Sequence, residues 1–276
     1  MSVYFFAWAA SIIYGLEFIG EKLISKHSVK NPWLFNFVLQ TFIFLGTATI
    51  ALSMGVKIPI YWQNILWASL FYALSHILYF ITLYWFDVSV MSPLFNIRTV
   101  MTVLLGTFFL GEILSVEQYI LIAIIFIFGI FVNMDEKLNI KSFFSWKITL
   151  VLVEMLFLTL VAFFIKKAIG ETDYWSATLW IALIAQIWFL FTIPLFKKDI
   201  PEVSGRQYSE IGVVSILAMV GILAANAAYA QNISIATAII ALPLSMVIAF
   251  MFAQFAPELL EKHTLKVYLI RFVSTA

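Results

Sequence analysis

The segment SVMSPLFNIRTVMTVLLGTFFLGE, residues 89–112, is an apolar run long enough to cross a membrane as a helix, and it carries Arg98 near its middle. A guanidinium at the centre of a bilayer costs roughly 3 kcal/mol on insertion scales. This arginine therefore needs an acidic partner, a water-filled cavity or a functional task.

The composition of the whole chain places it in a membrane. Of its 276 residues, 63% are hydrophobic and only 11% are charged, which excludes a soluble globular protein. The apolar residues fall in windows of about 20, the length of a membrane-spanning helix. The fold class we predict is an all-α integral membrane bundle. A net charge of +1 gives no indication of nucleic-acid binding, and the absence of cysteine excludes disulfides and thiolate metal sites.

Hydropathy predicts nine complete spans and the start of a tenth. The first begins at Val3 without a basic segment or a cleavage site, so we expect a retained helix rather than a signal peptide. The last segment, from about 265, is too short to cross a membrane, and we expect a truncated tenth helix. The predicted spans are 3–22, 32–54, 63–86, 89–111, 117–134, 147–168, 175–196, 209–230 and 234–257.

The two halves of the chain resemble each other in sequence. Shifts of 145 to 149 residues superpose several polar and aromatic positions in chain order. Because each half holds five spans, an odd number, the copies must cross the membrane in opposite directions, as in many secondary transporters. We predict a first repeat at 1–134, a connecting loop at 135–146 and a second repeat at 147–276. The superposed positions are Asp87 to Ser89 on Asn232 to Ser234, Arg98 on Pro243, Gln40 on Gln186, and Glu112 on Glu261.

The basic residues are distributed unequally between the connections. Eleven of the sixteen Lys and Arg residues lie in the odd-numbered connections and three in the even-numbered ones. The positive-inside rule then predicts cytoplasmic odd connections and an external N-terminus.

The residues also resemble a known family. The five-plus-five layout, the segment TVLLGTFFLGE ending at Glu112, and the later segment SIATAIIALPLSMVIAF followed by Glu261 look like the EamA-type branch of the drug/metabolite transporter superfamily. The resemblance implies alternating-access transport of small metabolites. It also implies a cytoplasmic N-terminus, opposite to the charge distribution, so orientation stays open. The first half departs from the family pattern in carrying Arg98 where Pro243 stands in the second half.

A shorter resemblance lies in the first span. Residues 16–23, LEFIGEKL, are similar to the first helix of the small multidrug resistance transporters, whose membrane glutamate binds both proton and cation. Transferred to this sequence, that resemblance implies a coupling role for Glu17.

Several intramembrane polar residues are candidates for function. Arg98 suits recognition of a carboxylate or phosphate, since a guanidinium stays charged and donates two parallel hydrogen bonds. The structural alternative is a fixed pair with Glu154 or Glu17, or hydrogen bonds to free carbonyls. Glu154, Glu17 and His76 are candidates for coupling and protonation. The alternative for Glu154 is a fixed counter-ion, and the alternative for Glu17 is a carboxylate that reaches water at the end of its helix. The alternative for His76 is a neutral core histidine. The candidates for lining a substrate site are Arg98, Gln40, Gln186, Asn96, Asn226 and Tyr84.

We therefore predict a secondary active transporter for a small organic metabolite: an amino acid, a nucleobase, or a phosphorylated or amphipathic compound. The expected partners are this solute, membrane lipid, and a proton or counter-substrate. We expect no enzymatic activity, cofactor, metal or nucleic-acid partner, because no metal-spaced cluster, hydrolase motif or phosphate-binding loop is present. The expected location is the bacterial inner membrane. The alternative is a non-transporting scaffold or lipid-handling subunit.

Overall fold

The chain folds as a bundle of α-helices in a computed structural model that describes residues 2–86, 88–121, 123–124, 146–242, 244, 247–248 and 251. The fifth helix, α5, is described at residues 116–121 and 123–124. Pro243, Glu261 and the 135–145 connection lie outside the described residues. The other helices are α1 (Val3–His27), α2 (Pro32–Ser53), α3 (Gln63–Trp85), α4 (Val88–Leu110), α6 (Trp146–Glu171), α7 (Tyr174–Leu190), α8 (Gly205–Gln231) and α9 (Ile233–Ile240).

The prediction of an all-α membrane bundle is confirmed. Within the described residues, five helices (α1, α2, α3, α6 and α8) are long and apolar enough to cross a membrane, and α7 and residues Phe95–Leu110 of α4 form shorter apolar helices. The helix starts agree with the predicted spans within four residues at every described helix.

Two predicted spans are not continuous helices in the structure. The span predicted at 175–196 stops at Leu190 and continues as a 3₁₀ turn at Ile193–Leu195, because Pro194 has no amide proton to donate to a further helical turn. The span predicted at 234–257 begins as α9, which is interrupted after Ile240 by a turn at Ala241 and a bend at Leu242, and the described residues 244, 247–248 and 251 are helical again. The residue before a proline is disfavoured in helical geometry, which explains a break just before Pro243.

Polar residues cap the helix starts. Asn31 precedes Pro32 and accepts hydrogen bonds from the amides of Trp33 and Leu34, so it satisfies two donors that the helix itself leaves unpaired. Ser204 and Gln207 form a reciprocal capping box at the start of α8. These caps fix the helix ends where the apolar runs begin.

The contacts between helix ends show which way each helix runs. Lys22, near the end of α1, donates to the carbonyl of Leu83 near the end of α3, so these two helices run parallel. Asn64, at the start of α3, donates to Glu171, at the end of α6, so α6 runs the opposite way. Gln207, at the start of α8, reaches the carbonyl of Ser28 after α1, so α8 also runs opposite to α1.

The remaining pairs follow the same rule. The amide of Lys57, just after α2, donates to Ser176 at the start of α7, and Glu112, just after α4, accepts from Ile233 at the start of α9. Each helix of α1 to α4 is thus antiparallel to the helix five places later. We call the bundle end that holds residues 54–62 and 111–115 the Glu112 end, and the end that holds residues 28–31 and 197–204 the Lys22 end.

The packing also comes in equivalent pairs. Helix α3 packs on α6 as α1 packs on α8, α2 on α8 as α3 on α7, and α4 on α6 as α1 on α9, while α2 packs on α7 and α4 on α9. Exchanging each helix with its antiparallel counterpart converts this set of contacts into itself. An inverted repeat produces this pattern.

Gly221 on α8 allows a close approach to α1. A Cβ there would lie 2.7 Å from the ring carbon Cε1 of Tyr14, whereas a Cβ at Gly212 on the same helix meets nothing within 4 Å. We predict that Gly221→Ala lowers thermal stability in detergent, because overpacking costs about 1–3 kcal/mol. Gly212→Ala is the matched control and should leave the melting temperature equal or higher. Equal melting temperatures for the two variants would contradict this packing.

Candidate functional site

A cavity of about 190 Å³ lies near the middle of the bundle, between the two sets of antiparallel helices. Its wall takes residues from α1, α2, α3 and α4 on one side and from α6, α7, α8 and α9 on the other. A site at the meeting of two inverted halves is what this architecture predicts. The polar and charged lining residues are Ser11, Tyr14, Glu17, Thr47, Tyr72, Ser75, His76, Tyr79, Arg98, Thr178, Asn226 and Tyr229.

Arg98 places its guanidinium in the wall of this cavity. Its Nη2 donates to the hydroxyl of Tyr229 at 2.8 Å and to the carbonyl of Leu158 at 3.2 Å. The guanidinium carbon lies 5.7 Å from the centroid of the Tyr229 ring, which adds a cation–π interaction. The side chain is only 9% exposed, and its Nε has no hydrogen-bond partner among the described residues.

Two hydroxyls of the cavity wall are also unpaired. Ser11 on α1 and Thr47 on α2 are buried, and their side-chain oxygens have no partner in the described part of the chain. An unpaired buried polar atom costs about 1–3 kcal/mol, so such groups need an explanation. Like the Nε of Arg98, they are polar groups of the wall that have no partner among the described residues.

Glu17 faces the same cavity from α1. It lies one turn before Glu21, which is 2% exposed and accepts a hydrogen bond from the hydroxyl of Tyr79. Residues four apart lie on one face of a helix, so both carboxylates point toward α3. Sequence reasoning singled out Glu17 and missed Glu21, although the spacing of four residues in LEFIGEKL was a signal for it.

His76 lines the cavity, and Gln40 holds it there. The Nε2 of Gln40 lies 3.0 Å from Nδ1 of His76, and the Oε1 of Gln40 accepts from the hydroxyl of Tyr72 at 2.9 Å. Gln40 itself lies behind the cavity wall. Its predicted role in the site therefore becomes a positioning one, which orients two lining side chains.

Glu154 lies outside the cavity lining. It is fully buried, its Oε2 accepts from the hydroxyl of Thr82 at 3.0 Å, and its Oε1 is unpaired among the described residues. Arg98 donates to the carbonyl of Leu158, one helical turn beyond Glu154, and no direct Arg98–Glu154 salt bridge is found among the described residues. The other alternative for Arg98, hydrogen bonding to a free carbonyl, describes one of its contacts.

The other predicted substrate residues fall on both sides of the wall. Asn226 lines the cavity, whereas Asn96 and Gln186 are packed behind it, and Gln186 donates to the hydroxyl of Thr41 at 2.8 Å. Tyr84 lies away from the cavity and donates its hydroxyl to the carbonyl of Val29, so the structure does not support its predicted place in the site. This tyrosine instead ties α3 to the connection after α1.

Sequence reasoning missed several of the aromatic and hydroxyl residues of the cavity wall. Tyr14 and Tyr72 line the cavity together with Ser11, Thr47 and Thr178. Tyr14 lies three residues before Glu17 on the same helix face, a spacing that was visible in the sequence. The short hydroxyl residues gave no signal, because serine and threonine occur throughout apolar helices as interhelical contacts.

Comparison with known proteins decides the family. Residues 1–134 match the model of the EamA-like transporter family. This half of the chain belongs to that family. The predicted resemblance is confirmed, and the match indicates a multi-pass membrane transporter of the drug/metabolite transporter superfamily. The assignment favours transport over the alternative of a scaffold.

A solved structure shares the fold of the whole chain. It is titled only as the crystal structure of a protein, and it superposes with a TM-score of 0.65 at 12% sequence identity. The match covers 96% of this chain and 93% of that one, so the similarity extends through both halves. No curated protein matches the sequence.

Proposed function

We propose that this EamA-type protein is a secondary active transporter that moves a small organic metabolite by alternating access. In this proposal the first repeat at 1–134 and the second at 147–276 rock against each other around the cavity. The antiparallel helix pairs and the equivalent packing contacts of the two halves support this mechanism. Each half supplies part of the cavity wall, so a relative movement of the halves changes access to it.

The observation that carries the solute class is the buried guanidinium of Arg98, with an unpaired Nε, in the wall of a mostly apolar cavity. A guanidinium is permanently charged and binds carboxylates and phosphates through two adjacent donors. Arg98 uses Nη2 for Tyr229 and Leu158, which fixes the plane of the group, and its Nε has no partner among the described residues. We therefore propose a metabolite with a carboxylate or phosphate, such as an amino acid or a phosphorylated compound.

Glu17 is the carboxylate that we propose for coupling. It shares the cavity with Arg98, and its one-turn neighbour Glu21 is held by Tyr79, so an added proton at Glu17 changes the charge that the solute meets. Glu154 is fully buried outside the lining, and it has no direct route to the solute. Coupling at Glu17 would make solute movement respond to a pH gradient. We place the protein in the bacterial inner membrane.

A ligand panel tests the solute class. The purified protein is heated with amino acids, nucleobases, sugar phosphates and amphipathic cations, and the unfolding temperature is followed. A true ligand at 100 times its Kd stabilises the protein by about 2.7 kcal/mol. We expect stabilisation by a carboxylate or phosphate compound and its loss in Arg98→Ala. Stabilisation by amphipathic cations alone, or by no compound, would contradict the proposal.

A further inference from the structure

We propose that Glu112 is a gating residue whose carboxylate latches the two halves together at the Glu112 end of the bundle. When the latch opens, the cavity gains access from that end. This inference rests on the proposed alternating-access function. Glu112 belongs to the first half, and its contacts lie in the second half.

The backbone around Glu112 is fixed by the end of α4. Gly111 has a φ of +65°, a left-handed conformation that glycine adopts without strain, and the amide of Glu112 donates to the carbonyl of Gly106 at 3.0 Å. This hydrogen bond reaches back to a residue in the last turns of α4, so the chain folds over the end of the helix. The chain therefore turns sharply after Leu110 and aims the carboxylate back toward the neighbouring helices.

The carboxylate receives four hydrogen bonds from the second half. Its Oε1 accepts from Nζ of Lys166 at 2.5 Å and from the amide of Ile233 at 2.8 Å, and its Oε2 accepts from the amide and hydroxyl of Ser234 at 3.0 and 2.6 Å. The amides belong to the first turn of α9, where the helix dipole favours a negative charge. One side chain of the first half thus holds both α6 and the start of α9.

The latch is directly connected to the cavity wall. Lys166 follows Ile165, which lines the cavity, and α9 runs from Ile233 to Ile240, another lining residue. Of the two ion pairs found within the described residues, Lys166–Glu112 joins the two halves and Arg206–Glu210 lies within one helix. Loss of the Glu112 contacts would therefore allow α9, which ends at a residue of the cavity wall, to move.

Gly106 shows that the latch needs close contact between α4 and α9. A Cβ at this position would lie 2.6 Å from Oε2 of Glu112 and would also overlap the hydroxyl of Ser234. Glycine therefore permits α4 to approach the start of α9 closely enough for the carboxylate to reach both amides. The segment GTFFLGE combines this contact glycine, the left-handed turn at Gly111 and the latch carboxylate.

The latch is stable at neutral pH. Burial raises the pKa of Glu112, but the hydrogen bonds from Lys166, Ser234 and Ile233 outweigh burial, and the pKa lies below its ordinary value of 4.5. A carboxyl with a lowered pKa contributes stability above its unfolded pKa and loses it as the pH falls through the folded pKa. Protonation of Glu112 is therefore not what opens this end at neutral pH.

Labelling of one introduced cysteine tests the gate, since the native chain has none. Ser11→Cys places a thiol in the cavity wall, and a membrane-impermeant maleimide is added to one side of sealed proteoliposomes. Ser53→Cys and Lys198→Cys, exposed at opposite ends, report which side is labelled. We expect Glu112→Gln to raise the labelling rate of the cysteine at position 11 from the Glu112 end about tenfold. The reason is that the neutral amide loses the charge-assisted hydrogen bonds that the carboxylate accepts from the second half.

Glu117→Gln is the matched control, since Glu117 is exposed just beyond the latch and contacts only Ser115 among the described residues. Lys166→Met should act in the same direction with a smaller effect, because Glu112 keeps its three bonds to α9. Unchanged labelling in both latch variants, or an equal rise from both ends, would overturn the gate. If the thiol at position 11 is labelled from neither end with Glu112 intact, alternating access itself is contradicted.

Discussion

Arg98→Ala is expected to abolish transport of the anionic metabolite, with a fall of at least about 100-fold in uptake. Removing one partner of a buried charged contact typically costs 2–5 kcal/mol or more, and each 1.4 kcal/mol is about tenfold in affinity. The substitution also leaves the hydroxyl of Tyr229 and the carbonyl of Leu158 without the donor they share. Uptake of radiolabelled solute into proteoliposomes measures the effect.

Arg98→Lys separates charge from geometry. An ammonium keeps the positive charge but lacks the planar pair of donors, so we expect partial uptake with a raised KM. Arg206→Ala is the matched control, because Arg206 is exposed on α8 and pairs with Glu210 on its own helix. Wild-type uptake in both Arg98 variants would rule out Arg98 as the anchor for the anionic group.

Glu17→Gln is expected to uncouple transport from the pH gradient. An amide has nearly the shape of a carboxyl but takes up no proton at working pH, so gradient-driven accumulation should fall by at least about tenfold. Exchange of solute without a gradient should continue, since Arg98 and the hydroxyls of the wall remain in place. The measurement compares uptake driven by an imposed pH gradient with solute exchange at equal pH.

Two further substitutions serve as comparisons for Glu17→Gln. Glu202→Gln changes an exposed carboxylate at the Lys22 end and should leave both forms of transport unchanged. Glu21→Gln should reduce coupling less than Glu17→Gln, because Glu21 is held by Tyr79 behind the lining. If gradient-driven and exchange transport fall together in Glu17→Gln, the residue binds solute or supports the fold and does not carry coupling.

The helices of this protein were predictable from its sequence because hydropathy marks each membrane crossing. The charge of Arg98 stood out for the same reason, since a lone guanidinium contrasts with an apolar run. Proline signals explain where α7 and α9 depart from the prediction, and Pro194 and Pro243 were readable as breaks. The predicted repeats have a physical counterpart in the antiparallel helix pairs.

The composition of the site was harder to predict than the fold. The helices are apolar on nearly all sides, so no polar face indicates which residues turn inward. Asn96 and Asn226 are equally buried, yet only Asn226 lines the cavity, because the rotation of each helix is set by packing. Tyr84 illustrates the same limit, since its hydroxyl is used by the carbonyl of Val29.

The role of Glu112 depended on a contact that sequence spacing does not reveal. The Gly-Glu pair at the end of α4 predicted a helix end, and the left-handed Gly111 confirms that expectation. The position of α9 beside it comes from the meeting of the two halves, more than 120 residues away in sequence. The contact of Glu112 with the second repeat therefore depends on tertiary packing, which the local sequence at the end of α4 does not reveal.

The central claim is that solute anchored at Arg98 crosses the membrane by alternating access, and counterflow measures it most directly. Proteoliposomes loaded with the unlabelled metabolite that stabilises the protein are diluted into a trace of the same labelled compound, without a pH gradient. The account predicts transient accumulation of label above equilibrium in wild type and its absence in Arg98→Ala. Label that only equilibrates, as through a channel, or equal overshoot in both proteins, would contradict the account.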